Sequence, residues 1–341
     1  MQTKSLKIAV VILNWNGQKL LEQFLPSVIK FSKEAEIYVA DNASTDDSVS
    51  FIKNNYPEIK IIQNSDNFGF AKGYNEALKN IKTDIFALVN SDIEVTENWL
   101  QPIIDTFMNE PNTVIIQPKI LDFKRKEYFE YAGAAGGFID KFGYPFCRGR
   151  IFETLEKDNN QYNNDCEIFW ASGACFFIRS NIYNNLNGFD EDFFAHQEEI
   201  DLCWRAKNNG FAIKYNSKSV VYHVGGATLQ AGNPRKTFLN FRNSLLMLTK
   251  NLPKSNLIPI LFSRMLLDGI AGIKFLINGK LKHFIAIIQA HFAFYSLFLQ
   301  HYKKREKNQI VAYYKVKSIV FNYYIQNGKI FEKLKKTKQL K

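Results

Sequence analysis

Short apolar runs alternate with amphipathic segments through the first 120 residues. The apolar runs predict five strands, at residues 7–13, 36–40, 60–63, 84–89 and 114–118. The segments between them predict helices at residues 18–31, 45–55, 69–80 and 96–109, with Ser44 or Thr45 as the N-cap of the second. Strands that alternate with helices of this length predict an α/β fold, with a mostly parallel sheet that has helices on both faces.

Polar side chains follow each of the first four predicted strands. The four groups are Asn14-Trp15-Asn16-Gly17, Asp41-Asn42-Ala43-Ser44, residues 64–69 and Asn90-Ser91-Asp92. For any one group, ordinary turn chemistry is a sufficient explanation. Because parallel sheets bind ligands at the carboxyl ends of their strands, the four groups together indicate a shared ligand site.

The phosphates of a nucleotide ligand would need a device other than a glycine-rich loop. No G-x-G-x-x-G motif follows the first strand, and G-x-x-x-x-G-K-[ST] occurs nowhere in the chain. The carboxylate of Asp92, at the end of the fourth strand, can instead hold Mg²⁺ or Mn²⁺, which would bridge to a diphosphate.

The stretch FFAHQEEIDLCWRA, which begins at Phe193, places three carboxylates beside apolar rings. Glu198, Glu199 and Asp201 are flanked by Phe193 and Trp204. Apolar surroundings raise the pKa of a carboxyl group, which suits a proton acceptor that works near neutral pH. The alternative is the N-terminus of a helix, where acidic side chains offset the helix dipole.

The net charge of +11 is unevenly distributed along the chain. Residues 1–234 hold 23 Lys and Arg against 30 Asp and Glu, a balance of −7, whereas residues 235–341 hold 21 against 3, a balance of +18. The sequence therefore predicts an acidic N-terminal unit and a basic, apolar C-terminal unit.

The cysteines and the first apolar run predict a cytoplasmic protein. Four cysteines occur without a C-x-x-C pair or zinc-ligand spacing, which indicates reduced and mostly buried thiols. The run at residues 8–13 is too short for the apolar core of a signal peptide, so we expect a strand there.

Two apolar segments in the C-terminal unit have the length of membrane-associated helices. The first, residues 257–277, carries Arg264, Asp268 and Lys274, which are costly at a bilayer centre. The second, residues 281–300, has small or polar residues at spacings of 4, 3, 4, 3 and 4: Lys282, Ala286, Gln289, Ala293, Ser296 and Gln300. With lysine-rich segments at 303–307 and 329–341, this pattern predicts peripheral docking on an anionic membrane surface.

Three other interpretations of the C-terminal unit stay open. The two helices would pack on each other or on a partner protein, or one would span the membrane. The +18 balance also raises nucleic-acid binding, for which basic and aromatic residues usually interleave on a polar background. Here basic clusters flank long aliphatic runs, which favours lipid and predicts no nucleic-acid partner.

Seven motifs in order resemble the family 2 glycosyltransferases, over about residues 6–245. The motifs are VVILNWNG, VADNASTDDS, NFGFAKGYN, LVNSDIEV, WASGACFFIRS, GFDEDFFAHQEEIDLCWRA and YHVGGATL. The resemblance implies a GT-A fold and an inverting transfer from a nucleotide-diphosphate sugar. Within the family, the chain is similar to bacterial rhamnosyltransferases of cell-surface polysaccharide assembly, which implies a lipid-linked or polysaccharide acceptor.

The resemblance also implies roles for individual residues. Asp41 matches the acidic residue that binds the nucleotide base or ribose, with further nucleotide-sugar contacts at Asn14, Asn16, Asn67, Gly69, Ala71, Gly73 and Ser91. We expect the small residues among these to let backbone N–H groups approach the ligand. Asp92 matches the last carboxylate of the metal-binding Asp-x-Asp motif, whose first position here is Asn90, and His223 matches a histidine of the metal site.

Glu199 aligns with the catalytic base, which in the family is usually the Asp of a Glu-Asp pair. Glu198 is the next candidate, and Asp201 is expected to be a structural cap. Trp170 would stack on an acceptor sugar or pack in the core. Arg242 and Arg205 would offset diphosphate charge or pair with an acidic neighbour, and His196 is expected to support the site without binding the metal.

The sequence therefore predicts a metal-assisted, inverting glycosyltransferase on the inner face of the cell membrane. Residues 1–245 would form the GT-A domain, and residues 246–341 a helical extension. The alternative enzyme of the same fold is a nucleotidyltransferase, which would normally have a basic glycine-rich loop where this chain has Asn14-Trp15-Asn16-Gly17.

Overall fold

The apolar runs form strands close to their predicted positions. A computed structural model describes residues 6–225 and 232–334. Its strands are β1 (Ile8–Asn14), β2 (Glu36–Asp41), β3 (Lys60–Gln63), β4 (Ile85–Asn90), β5 (Ile93–Val95), β6 (Thr113–Asp122), β7 (Gly137–Ile139), β8 (Pro145–Cys147), β9 (Arg150–Ile151), β10 (Thr154–Leu155), β11 (Cys166–Glu167), β12 (Cys175–Arg179) and β13 (Ala212–His223).

The main sheet is mostly parallel, which confirms the predicted fold class. Its order is β11-β13-β6-β12-β4-β1-β2-β3, and β5 pairs with β13. β1 is parallel to β2 and β4, β2 to β3, and β6 to β13, whereas β12 runs antiparallel to β4 and β6. The register sets Asn14 beside Asp41 and Leu13 beside Asn90, so these polar strand ends meet at one edge.

The first six helices pack around this sheet. They are α1 (Gln18–Phe31), α2 (Ser48–Asn55), α3 (Gly69–Leu78), α4 (Gln101–Asn109), α5 (Ser180–Asn185) and α6 (Glu198–Asn208). The prediction that α2 begins at residue 45, with Ser44 or Thr45 as its N-cap, was wrong, because the helix begins at Ser48. The hydroxyl of Ser44 and the N–H of Thr45 instead bond to Asn16, which ties this loop to the end of β1.

A second, smaller sheet was absent from the sequence prediction. It is antiparallel, in the order β10-β9-β8-β7, and Gly137 at its edge forms a bridge to Trp170 of the main domain. Its strands are two or three residues long, too short for an alternating pattern to be recognised in the sequence.

The C-terminal helices continue the same core. They are α7 (Pro234–Asn251), α8 (Lys254–Ile277), α9 (Leu281–Lys303) and α10 (Ile319–Tyr324). The predicted boundary at 245 falls inside α7, where Leu245 is buried in the main core. Further along, Tyr313 stacks on Trp204 of α6, with ring centroids 5.0 Å apart. The core therefore continues across the predicted boundary at 245. The basic segment 329–341 lies partly outside the described residues.

Candidate active site

The ends of β1 and β2 bring Asn14 and Asp41 together. Asn14 Nδ2 donates to Asp41 Oδ1 (3.1 Å), and Asp41 Oδ2 accepts from the N–H of Ser44 (2.9 Å). Asn14 Oδ1 is buried without a hydrogen-bond partner in the described part of the chain. A Cβ at Gly17 would lie 2.4 Å from that oxygen and 3.7 Å from Ser91 Oγ. A buried free acceptor beside a residue that has no side chain suits a ligand N–H group.

Asn16 supports this edge from the loop. Its Oδ1 accepts from the N–H groups of Thr45 (2.7 Å) and Asp46 (3.3 Å), and its backbone takes a positive φ of 49°. These bonds occupy the side-chain oxygen, so Asn16 fixes the loop that follows Asp41.

The start of α3 is closed by protein groups. Asn67 Oδ1 accepts from the N–H of Gly69 (3.0 Å), and the carbonyl of Phe194 accepts from the N–H groups of Phe70 (2.8 Å) and Ala71 (3.2 Å). The expectation that these N–H groups face the ligand was wrong, because the Phe194 loop takes that position.

Gly73 serves close packing. A Cβ there would lie 2.7 Å from Asn42 Nδ2, which donates to the carbonyl of Gly69 (2.8 Å). Asn64 Nδ2 in turn donates to Asn42 Oδ1 (2.7 Å). The small residue therefore lets α3 approach the ends of β2 and β3.

Asp92, His223 and Glu130 form a buried cluster between β4, β13 and the loop after β6. His223 Nε2 lies 3.1 Å from Asp92 Oδ1, and Nδ1 lies 3.3 Å from Glu130 Oε1, outside hydrogen-bond direction. Burial alone would lower the pKa of His223, but Glu130 and Asp92 raise it to about 10. For Asp92, the charge of His223 outweighs burial, which acts in the opposite direction, and lowers the pKa.

The charges of this cluster fit a divalent cation. Two buried carboxylates and one imidazolium leave one excess negative charge, which is costly in a buried site. A divalent cation in place of the imidazolium proton would bring the sum to zero. Carboxylate oxygen and imidazole nitrogen are suitable ligands, and Glu130 would orient the ring from its far side. The sequence interpretation missed Glu130, whose only signal was an acidic residue in an irregular loop.

Glu198 and Glu199 are the first two residues of α6 and have raised pKa values. Burial raises the pKa of Glu199 to about 7, and burial together with Glu199 raises that of Glu198 well above its ordinary value. The Oε2 atom of each lacks a hydrogen-bond partner within residues 6–225 and 232–334. The Glu199 carboxyl lies 3.8 Å from the Cβ position of Gly173, so a small residue leaves space beside it.

Comparison with known proteins identifies the family. Residues 9–186 match the family model described as "Glycosyl transferase family 2". The chain belongs to glycosyl transferase family 2. The matched region contains Asp41 and Asp92 and ends before Glu199.

Two curated relatives of this transferase are themselves named as sugar transferases. The N-acetylglucosaminyl-diphospho-decaprenol L-rhamnosyltransferase of Mycobacterium tuberculosis is 22% identical over 238 residues, 65% of this chain and 77% of the relative. The low-salt glycan biosynthesis hexosyltransferase of Haloferax volcanii is 20% identical over 289 residues, 83% of this chain and 89% of the relative.

Solved structures of two transferases share the fold. GalNAc-T7 with UDP, GalNAc and Mn²⁺ has a TM-score of 0.59 at 17% identity, and the match covers 74% of this chain but only 49% of that structure. The mannosyltransferase of Pyrobaculum calidifontis with GDP-Man and Mn²⁺ has a TM-score of 0.51 at 14% identity, covering 89% and 84%. Both neighbours were therefore solved with a nucleotide or nucleotide sugar and with Mn²⁺.

The transferase holds the loop before Glu198 in an uncommon backbone conformation. Phe194, His196 and Gln197 have positive φ values of 63°, 71° and 75°. One buried amide, Asn243 Nδ2, donates to the carbonyls of Phe193 (2.9 Å), Ala195 (3.0 Å) and His196 (2.7 Å). Since L-residues rarely adopt this conformation, these three bonds help to maintain it.

Arg242 belongs to the same support. Its Nη2 donates to the carbonyl of Asp192 (2.7 Å), and its Nε to Asn243 Oδ1 (2.9 Å), which orients the amide. The prediction that Arg242 offsets diphosphate charge was therefore wrong. Arg242 instead helps to hold the loop before Glu198.

Arg205 and Asp201 are an internal ion pair in the transferase. Arg205 Nε donates to Asp201 Oδ2 (2.8 Å), which also accepts from Lys250 Nζ (2.8 Å). Burial alone would raise the pKa of Asp201, but Lys250 and Arg205 outweigh it and lower the pKa. Arg205 therefore pairs with an acidic neighbour, which was one of its two predicted roles. Asp201 is a member of this ion pair and not the predicted helix cap.

Trp170 is not positioned to stack on an acceptor sugar. Its side chain is 2% exposed, and its Nε1 donates to the carbonyl of Phe138 (2.9 Å). A Cβ at Gly137 would lie 2.1 Å from the Trp170 ring, so the indole packs directly against the small sheet. The assignment to the acceptor was wrong, and core packing is what is observed.

A second acidic cluster is filled by lysines. Asp190, Asp192 and His301 offer potential metal ligands within 4.8 Å of one another. However, Lys304 Nζ lies 2.7 Å from a carboxylate oxygen of both Asp190 and Asp192, and Lys250 Nζ lies 2.7 Å from Asp190. The ammonium groups already balance these carboxylates, so the cluster with His223 is the better metal candidate.

Proposed function

We propose that this transferase moves a sugar, with inversion, from a nucleotide-diphosphate donor to a hydroxyl of a lipid-linked or polysaccharide acceptor. The observation that carries the proposal is the carboxyl of Glu199, which has a pKa of about 7 and lies beside Gly173, and whose Oε2 has no hydrogen-bond partner among the described residues. A base with that pKa is half ionised near neutral pH and can still accept a proton effectively.

Glu199 takes the proton of the acceptor hydroxyl as its oxygen attacks the anomeric carbon. The bond from that carbon to the diphosphate oxygen breaks on the opposite face, and the nucleoside diphosphate leaves with the electron pair. Attack and departure on opposite faces invert the configuration. Burial and the neighbouring Glu199 raise the pKa of Glu198 well above its ordinary value, which disfavours a second negative charge beside the base.

Asp92 and His223 would hold the divalent cation, with Glu130 behind the imidazole. When bound, Mg²⁺ or Mn²⁺ supplies electrostatic stabilisation of the departing diphosphate. Asp41 and Asn14 would bind the nucleotide at the neighbouring strand ends. The Mn²⁺ and nucleotides in GalNAc-T7 and in the Pyrobaculum enzyme support this proposal through the shared fold.

The acceptor is proposed to be attached to lipid, and the enzyme to act peripherally at the cytoplasmic membrane face. Support comes from the relative whose name specifies a diphospho-decaprenol acceptor, and from the basic, apolar C-terminal helices.

A panel of nucleotide sugars tests this proposal. Full-length protein is incubated with each donor and Mn²⁺ or Mg²⁺, and hydrolysis and thermal shift are measured. We expect one donor class to be hydrolysed slowly and to raise the melting temperature only with the metal present. Nuclear magnetic resonance of the first-formed sugar should then show the inverted anomer. A retained anomer would overturn the mechanism, and no response to any donor would overturn the function.

A further inference from the structure

Two charged side chains in the middle of α8, those of Arg264 and Asp268, point into the protein. Arg264 and Asp268 are both buried, and Arg264 Nε donates to Asp268 Oδ1 (2.9 Å). Arg264 also donates to the carbonyl of Phe142 (3.2 Å), and Tyr144 Oη donates to Asp268 (3.3 Å). The pair therefore attaches α8 to the small sheet and leaves the opposite face of the helix without these charges.

The outward faces of α8 and α9 are apolar. On α8 the exposed large apolar residues are Ile258, Phe262, Leu266, Ile270, Ile273, Leu276 and Ile277. On α9 they are Leu281, Ile285, Ile288, Phe292, Tyr295, Leu299 and Tyr302, at alternating spacings of four and three. The two stripes adjoin where Tyr295 Oη donates to Met265 Sδ (3.4 Å). An apolar surface of this extent marks an interaction site.

The border of the two stripes is basic. From residue 254 to residue 304 the only acidic residue is Asp268, which is buried. α8 and α9 are consecutive and form a helical hairpin. Exposed lysines lie at its two ends: Lys254, Lys274, Lys280, Lys282 and Lys303. An apolar face bordered by lysines is complementary to a bilayer whose headgroups are anionic.

We propose that the outward faces of α8 and α9 form a docking surface that inserts into one leaflet of an anionic bilayer. The proposal rests on the proposed function, since a lipid-linked acceptor gives the docking its role. A second copy of the chain is a poorer occupant, because a symmetric dimer through these faces would bring lysine-rich borders together.

The docked hairpin lies on the membrane and does not cross it. α9 is long and apolar enough to span a bilayer by length and composition. However, its other face is buried through Ala286, Ile287, Ala290 and Phe294. The C-terminal end of α9 also contacts the segment that leads to the loop before Glu198, since Gln300 Nε2 donates to Asp192 Oδ2 (2.8 Å). A spanning helix would lose both sets of contacts.

The turn of the hairpin lies at the active-site end of α7. His283, three residues after the turn at Lys280, shares a hydrogen bond of 2.7 Å with Thr237 Oγ1 in the first turn of α7. In that turn, the guanidinium of Arg235 lies 5.0 Å from the ring centroid of Phe194, in the loop before the two glutamates. Docking would therefore place the active-site loop close to the lipid surface.

Vesicle flotation of the full-length protein tests the docking. Phosphatidylcholine vesicles with phosphatidylglycerol should carry the protein, vesicles of phosphatidylcholine alone should carry much less, and high salt should release part of it. The double variant Phe262→Glu/Phe292→Glu should lose about tenfold or more in binding. Met108→Glu, at an exposed apolar residue of α4, is the matched control and should float normally.

A second variant avoids the apolar faces. Lys280→Glu/Lys282→Glu changes two exposed residues and should also weaken binding about tenfold or more, with the melting temperature unchanged. Donor hydrolysis, which needs no lipid, should stay normal in both double variants, so a failure of docking is distinguishable from a failure of the transferase proposal. Normal flotation of both double variants would overturn the docking proposal. A full-length protein that does not bind anionic vesicles would also overturn it, and dimerisation through these faces would then identify a second copy as the occupant.

Discussion

The side-chain amide of Asn243 donates to the carbonyl of His196 over 2.7 Å, which joins α7 to the loop before Glu198 in this transferase. The same amide also holds the carbonyls of Phe193 and Ala195. Glu198 and Glu199 begin α6 directly after this loop. The position of the proposed base therefore depends on a residue that is more than forty positions away in sequence.

Replacing Asn243 should impair catalysis more than donor binding. In Asn243→Ala three loop carbonyls lose their donor, and the positive φ values of His196 and Gln197 are no longer maintained by it. We expect kcat to fall roughly tenfold to a hundredfold, since small displacements of a catalytic group have effects of this size. The KM for the donor should change little.

Asn55→Ala is the matched control for that change. Asn55 Nδ2 also donates to a backbone carbonyl, that of Phe51 at 2.8 Å, but on α2 and away from the two glutamates. A normal kcat for a folded Asn243→Ala protein would refute the positioning role.

The rate should depend on the ionisation of Glu199. Because burial raises its pKa to about 7, the ionised base is lost as the pH falls below that value. We expect kcat/KM to drop about tenfold for each further pH unit on the acid side and to level off above it. A profile of kcat/KM between pH 5 and pH 9 checks this, and a flat profile down to about pH 5 would exclude a base with a raised pKa.

The free energy of unfolding should fall as the pH rises and Glu199 ionises, whereas the rate of transfer should rise. A carboxyl whose pKa rises on folding, here from 4.5 to about 7, binds its proton more tightly in the native state. Its stabilising contribution is complete below pH 4.5 and is lost as the pH rises through about 7. Glu199→Gln should therefore gain roughly 1–3 kcal/mol relative to wild type between pH 5 and pH 9. Denaturant unfolding at both pH values measures the difference, and an equal difference at both would contradict it.

The metal proposal predicts effects of different size at Asp92 and at Glu130. Asp92→Asn should abolish detectable Mn²⁺ binding, whereas Glu130→Gln should weaken it roughly tenfold to a hundredfold, as expected for a group that orients a ligand. Titration calorimetry with Mn²⁺ measures both, and Glu110→Gln, in a partly exposed ion pair with Lys214, is the control. Full transfer activity in excess chelator would end the metal proposal.

Local patterns predicted the parallel part of the sheet well. β3 and α1 have the predicted bounds, and the ends of β1, β2 and β4 lie within one residue of theirs, because short apolar runs and an amphipathic segment flanked by polar turns leave a clear local signal. Thr45 was misassigned to a helix because its bond to Asn16 depends on a neighbouring strand.

The rest of the site depends on contacts between distant segments. Glu130 meets His223 only after the loop that follows β6 folds back, and nothing near Glu130 in the sequence marks it. Trp170 has the composition of a sugar platform, yet Gly137, which is distant in sequence, packs against its ring. The inward direction of Arg264 likewise depends on Asp268 and on the small sheet, which the sequence did not predict.

The most direct test of the account compares Glu199→Gln with Glu198→Gln in single-turnover transfer. The amide keeps the shape of the side chain but cannot accept the acceptor proton. With saturating donor and acceptor, Glu199→Gln should slow transfer roughly 10²–10⁴-fold, the usual range for general base catalysis, with donor affinity unchanged. Glu198→Gln should slow it much less, because burial and the neighbouring Glu199 raise the pKa of Glu198 well above its ordinary value and so disfavour its ionised form. A near-normal rate for Glu199→Gln would contradict the central claim, and a large loss confined to Glu198→Gln would assign the base to Glu198.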